Sequence, residues 1–110
     1  MNERKQRIGE NEAIFRLFNE EVGTLTKTFT VAAETMTVVC ECGVRSCASR
    51  FQISPEKYAS VRADSALFVL RPGHDIPEAE TVVEQREDYW IVRKHPGEPE
   101  QLARETDPRE

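Results

Sequence analysis

The sequence predicts an α+β fold, on three observations: a long amphipathic stretch at the N-terminus, short β-branched segments separated by turn residues in the middle, and no regular alternation of strand with helix. The expected arrangement is a long N-terminal helix packed on a small antiparallel sheet, with a short middle helix and a short C-terminal helix. At 110 residues the chain reads as one domain, with a helical segment over 1–33, a sheet region over 34–97, and a short helix and tail over 98–110.

Ile8, Phe15, Val22 and Phe29 recur every seven residues, interleaved with Asn11, Phe18, Leu25 and Ala32, as in a heptad seam. Ile14 and Leu17 widen the stripe, which suits a helix packed on a globular core. The pattern predicts helix from about residue 3 to at least residue 21. Beyond it, Gly23 weakens a helix, and Thr24, Thr26, Thr28 and Thr30 alternate as in a half-exposed strand. Two outcomes stay open: continuation to about residue 32, or a break near Gly23 with the chain folding back onto its sheet. A helix of about 30 residues would be about 45 Å long, against a radius of gyration of about 13 Å for a compact domain of this size. The continuous helix would overhang the body and meet a partner, either another protein or a second copy of the chain.

Thr35 to Glu41 (TMTVVCE) reads as a short strand, Gly43 to Ser49 as a turn, and Arg50 to Ile53 as a second strand. Ser54, Pro55 and Glu56 are an N-cap, a proline at the first helical position and an acidic first turn, predicting a helix to about Ala63. Leu67 to Leu70 (LFVL) is the most apolar run and reads as a buried strand, followed by a turn over Arg71 to Asp75. Glu80 to Gln85 and Tyr89 to Lys94 form a hairpin through Arg86, Glu87 and Asp88. Glu98 to Glu105 is a last short helix, with a frayed end over Thr106 to Glu110.

Composition narrows function. The net charge of −5 argues against a broad grip on DNA or RNA, whose affinity comes from neutralising phosphates. Arg4, Lys5 and Arg7 make only a modest basic patch, with Glu3 and Glu10 beside it. The N-terminal MNERKQRIGENEA lacks the apolar stretch of a signal peptide, and no apolar run approaches the roughly 18 residues of a membrane span. A cytoplasmic location is expected, where thiols stay reduced and clustered cysteines point to metal or redox chemistry.

Cys40, Cys42 and Cys47 lie in CECGVRSC. Zinc takes thiolate and imidazole at four tetrahedral positions, so three thiolates leave one place to fill. His74 is the natural fourth ligand, in a Pro-Gly-His turn directly after the buried strand; His95, before Pro96 and Gly97, is the rival. The spacing carries an objection. Sulfurs on tetrahedral zinc sit about 3.8 Å apart, whereas residues i and i+2 of an extended strand are nearly 7 Å apart. Cys40 and Cys42 therefore require a bend between them, which Gly43 permits. Arg45 and Arg50 flank the cluster as candidate donors to its thiolates. Inert buried thiols and a redox-reactive CxC pair beside two arginines are the competing readings.

The succession VCECG…SC, ISPEKYASVRAD, FVLRPGHD, VVEQREDYWIVRK and ARETDPR, preceded by NEAIFRLFNE, resembles a group of small uncharacterised proteins common in actinobacteria. The resemblance covers most of the chain and implies that the three cysteines and the Pro-Gly-His turn form one site. It implies no activity, and the threonine-rich stretch from Thr24 to Thr37 departs from it.

Catalytic signatures are lacking: there is no glycine-rich phosphate loop, nucleophile elbow or HExxH helix. Tyr58, Tyr89 and Trp90 could stack on bases, but alternation in YWIVRK puts Trp90 and Val92 on one face and Tyr89, Ile91 and Arg93 on the other, and core packing is the simpler use for one of these faces. The expectation is a zinc-binding interaction or regulatory module without catalytic activity, contacting a protein partner or itself through the N-terminal helix. A thiol-based redox sensor is the alternative.

Overall fold

The computed structural model describes residues 3–29, 35–44, 46–47 and 49–108. Among them the chain runs α1 (Glu3–Phe29), β1 (Met36–Val39), β2 (Arg50–Ile53), α2 (Pro55–Arg62), β3 (Leu67–Leu70), β4 (Glu80–Gln85), β5 (Trp90–Lys94) and α3 (Glu98–Glu105). The α+β architecture is as expected, with one difference: the strands divide into two antiparallel sheets, a β1–β2 hairpin and a three-stranded sheet of order β3-β5-β4. The hairpin pairs Met36 with Ile53 and Val39 with Arg50. The division has a local cause. Glu41 reaches β3 by one backbone bond, its N–H donating to the Val69 carbonyl at 2.9 Å. The Val69 N–H is taken by the Glu41 carboxylate at 3.1 Å, so no ladder propagates between the sheets.

Local signals placed the short elements well. The Ser54 hydroxyl accepts from the Lys57 N–H at 3.1 Å, with Pro55 opening α2, and Tyr58, Val61 and Arg62 turn inward. In β5, Ile91 and Val92 are both buried although they point to opposite faces, so the central strand is covered on both sides. Val38, Cys42, Phe68, Val69, Leu70 and Val92 form the centre of one core that both sheets share.

α1 runs unbroken past Gly23 to Phe29; residues 30–32 of the longer expectation lie outside the described residues. One glycine costs a helix about 1 kcal/mol, too little to break a helix docked along its preceding turns. At 27 residues α1 is about 40 Å long. It matches the longest extent of the molecule, 42 Å, the others being 30 and 24 Å.

The face by which α1 docks departs in part from the expected apolar seam. Ile8, Phe15 and Val22 are half-buried, but Phe18 is exposed, as are Ile14 and Leu17. Among the described side chains of α1, the fully buried ones are Glu12, Arg16 and Asn19. Arg16 donates to the carbonyls of Ser65 and Ala103, both at 2.8 Å, and lies 4.6 Å over the Phe68 ring. The carbonyl of Ala103, in the last turn of α3, is where a cation is favoured. Glu12 and Glu80 share Lys94, whose ammonium lies 2.6 and 3.0 Å from their carboxylates, all three groups being buried. Arg62 bridges Glu20 of α1, at 2.9 Å, and Asp107. Hydrophobic periodicity carries no signal for Glu12, Arg16 and Asn19, because these anchors work through ion pairs and hydrogen bonds to carbonyls.

The expected fraying over 106–110 is likewise corrected for its first residues. The Asp107 carboxylate accepts from Arg62 and from the Ser65 hydroxyl, and Thr106 caps α3 through the Leu102 carbonyl at 2.8 Å.

Candidate metal centre

The β1–β2 hairpin carries the three cysteines in its connecting segment, 40–49. β1 ends at Val39, two residues before the expected boundary at Glu41. Cys40 still bonds across to the Ser49 carbonyl at 2.9 Å, and the chain then bends at Cys42 and turns at Gly43, whose φ is 76°. The bend that the CxC spacing requires is therefore present. A side chain at 43 would also collide with α1, since a Cβ there would lie 2.8 Å from the Ile8 carbonyl oxygen. A second turn, closed by the Cys47 N–H on the Val44 carbonyl at 2.8 Å, brings Cys47 back.

His74 arrives from β3. Pro72 and Gly73, with φ of 84° at the glycine, make the turn, and the His74 N–H closes it on the Arg71 carbonyl at 3.0 Å. Proline followed by a residue of positive φ is the type II pattern.

These two turns bring Cys40, Cys42, Cys47 and His74 together, their ligand atoms all within 4.8 Å of one another. The Nδ1 of His74 lies 3.5 Å from the Cys40 sulfur and 3.6 Å from that of Cys47. Tetrahedral zinc, with sulfur at about 2.3 Å and nitrogen at about 2.0–2.1 Å, places sulfur and nitrogen about 3.6 Å apart. The donor set therefore fits a metal ion of that size and softness. Cys40 and Cys42 are fully buried and Cys47 and His74 half-buried, so the site sits at the edge of the core.

Electrostatics within the cluster favour a cation. The Cys42 thiol is held down at about 5, first by its hydrogen bond with Cys40 and then by the Val44 N–H, His74 and Cys47, against the opposing effect of burial. Cys40 is pushed up by that same bond and by burial. Cys40 and Cys42 oppose each other's ionisation; a divalent cation removes the conflict, because thiolates are its ligands. The Arg71 N–H donates to the Cys40 sulfur at 3.2 Å, spreading its negative charge. That backbone donor fills the role expected of Arg45 and Arg50: Arg50 is exposed at the start of β2, and Arg45 lies outside the described residues. His95 is engaged elsewhere, its Nε2 lying 3.1 Å from the Thr81 hydroxyl.

Glu41 was not singled out by sequence, where glutamate reads as surface. It is fully buried, its carboxylate directed to α1, α2 and β3. Its carboxylate accepts from Asn19 and Tyr58, each at 2.7 Å, and from the Val69 N–H. Burial raises its pKa, while these three donors pull it down. Asn19 also exchanges two bonds of 2.9 Å with the backbone of Val39, and Asn11 donates to the Gly43 carbonyl at 3.2 Å. The cysteine segment is thus seated against α1, α2 and β3 through one carboxylate. Glu41→Gln sets an amide N–H against a donor and is expected to cost about 1–3 kcal/mol. A denaturant midpoint unchanged from wild type would contradict that role.

No helix among the described residues is long and apolar enough to cross a membrane. No protein family, curated protein or solved structure was found to match the chain.

Proposed function

We propose that the chain is a zinc-stapled protein-interaction module without catalytic activity, acting in the cytoplasm, with Cys40, Cys42, Cys47 and His74 as the ligands of a structural zinc ion. The observation that supports this most is the match between the sulfur-to-imidazole separations, 3.5 and 3.6 Å, and those of a tetrahedral site. Four protein ligands complete the tetrahedron and leave no open position for a substrate or an activated water. The ion would join the β1–β2 hairpin to the turn after β3, segments some thirty residues apart in sequence and only weakly linked by backbone bonds. Its role is mechanical, and the contact surface is the outward face of α1.

Metal analysis of protein purified under reducing conditions is expected to give about one zinc per chain. Thiol titration should find all three cysteines protected together until a chelator is added. Fewer protected thiols, or a reversible disulfide within the cluster that forms on the zinc-loaded protein, would favour the redox reading instead.

A further inference from the structure

Three of the large exposed apolar side chains, Ile14 (63 %), Leu17 (48 %) and Phe18 (48 %), lie together on α1. Ile14 and Leu17 share one stripe with Arg7, Glu10 and Glu21, at the three- and four-residue spacing of a helix–helix seam. The stripe lies on the side of α1 opposite to the buried Glu12, Arg16 and Asn19. α1 thus has a second apolar stripe, facing outward, besides the half-buried Ile8, Phe15 and Val22 on its docked side, unlike a helix whose outer face is wholly polar. From Arg7 to Glu21 the stripe is about 21 Å long. Its ends are opposite in charge, and both residues are exposed.

We propose that this stripe pairs with the same stripe of a second copy, the two α1 helices running antiparallel about a two-fold axis close to Ile14. The proposal rests on the reading of the outer face of α1 as a contact surface and names what covers it. Charge selects the direction. An antiparallel pair centred on Ile14 sets each Arg7 beside the Glu21 of the other copy, twice by symmetry. A parallel pair would stack Arg7 on Arg7 and Glu21 on Glu21. The six apolar side chains gather at the axis, between the two ion pairs. A single helix stripe of this length is a small contact, and the monomer–dimer equilibrium is sought over a wide concentration range.

Sedimentation of the zinc-loaded full chain over about 1–300 µM tests this, with zinc content measured on the same samples. A monomer–dimer equilibrium is expected. Leu17→Lys, at an exposed site and with a good helix former, should weaken it at least about a hundredfold. Arg7→Glu and Glu21→Arg should each weaken it about tenfold, and the double variant should return it to within about twofold of wild type. Circular dichroism and thermal melting check that each variant keeps the fold. A wild-type chain that stays monomeric throughout with its zinc in place overturns the pairing and leaves the metal staple standing. A dimer that Leu17→Lys does not affect overturns the use of this face altogether, and a dimer with no rescue by the double swap overturns the antiparallel register.

Discussion

Replacing Cys42 by serine is expected to destabilise the whole domain by at least about 5 kcal/mol. Structural zinc sites bind with apparent free energies of about 10–16 kcal/mol, and that energy is folding energy where no site preexists in the unfolded chain. Against a total stability of about 5–15 kcal/mol for a domain, losing even half of it is decisive. The serine hydroxyl is a poor zinc ligand, and Cys42 is fully buried, so no outside group can take its place. The cost belongs to the ion more than to the sulfur's packing, and thermal melting separates the two. Chelated wild type should melt near the Cys42→Ser variant, and the chelator should add little to the variant. Should chelation leave the wild-type melting curve unchanged while Cys42→Ser lowers it, the cysteine acts as a core residue.

The second large effect is expected at Lys94. Its ammonium is the only cation in contact with Glu12 and Glu80 among the described residues, and all three are buried. Burial pulls the Lys94 ammonium down, but the two carboxylates together outweigh it and its pKa ends above the ordinary value. Burial raises Glu12 well above the carboxylate range, and Lys94 opposes that rise. The Oε2 atom of Glu12 is buried with no hydrogen-bond partner, which adds to the cost of ionising that carboxyl. Lys94→Met removes the compensating charge and should cost about 3–5 kcal/mol. The pH dependence follows in sign. A carboxyl whose folded pKa is raised is stable in its protonated form, so its contribution is present below the unfolded value of about 4.3 and is lost as pH rises through the folded value. Lys94→Met should therefore be least impaired near pH 4 and lose stability steadily towards neutrality. Neutralising Glu12 and Glu80 to glutamine in the same chain should recover much of the loss. A variant equally destabilised at every pH would point to lost packing instead of unpaired charge.

What could be read from sequence divides along physical lines. The strands, the Ser54–Pro55 helix start and the Pro72–Gly73 turn were legible because each depends on neighbours within a few residues. The convergence of the cysteines with His74 was also legible, since metal chemistry restricts which side chains can meet. The docking of α1 was not. Its anchors Glu12, Arg16 and Asn19 find partners in β5, α3 and at the end of β1, 82, 87 and 20 residues away. A rule that sends apolar residues inward finds Ile8, Phe15 and Val22 but misses the charged anchors and misplaces Ile14, Leu17 and Phe18. Glu41 escaped notice for the same reason: three donors from three different elements make its burial tolerable. Sequence does not fix the continuation of α1 through Gly23, because local propensity there is nearly balanced.

X-ray absorption at the zinc edge of the purified protein tests the metal site most directly. The ligand set proposed here predicts three sulfur scatterers at about 2.3 Å and one nitrogen at about 2.0–2.1 Å, with the nitrogen lost in His74→Ala. A shell of four sulfurs, a shell dominated by oxygen, or protein that holds no zinc at all would contradict it.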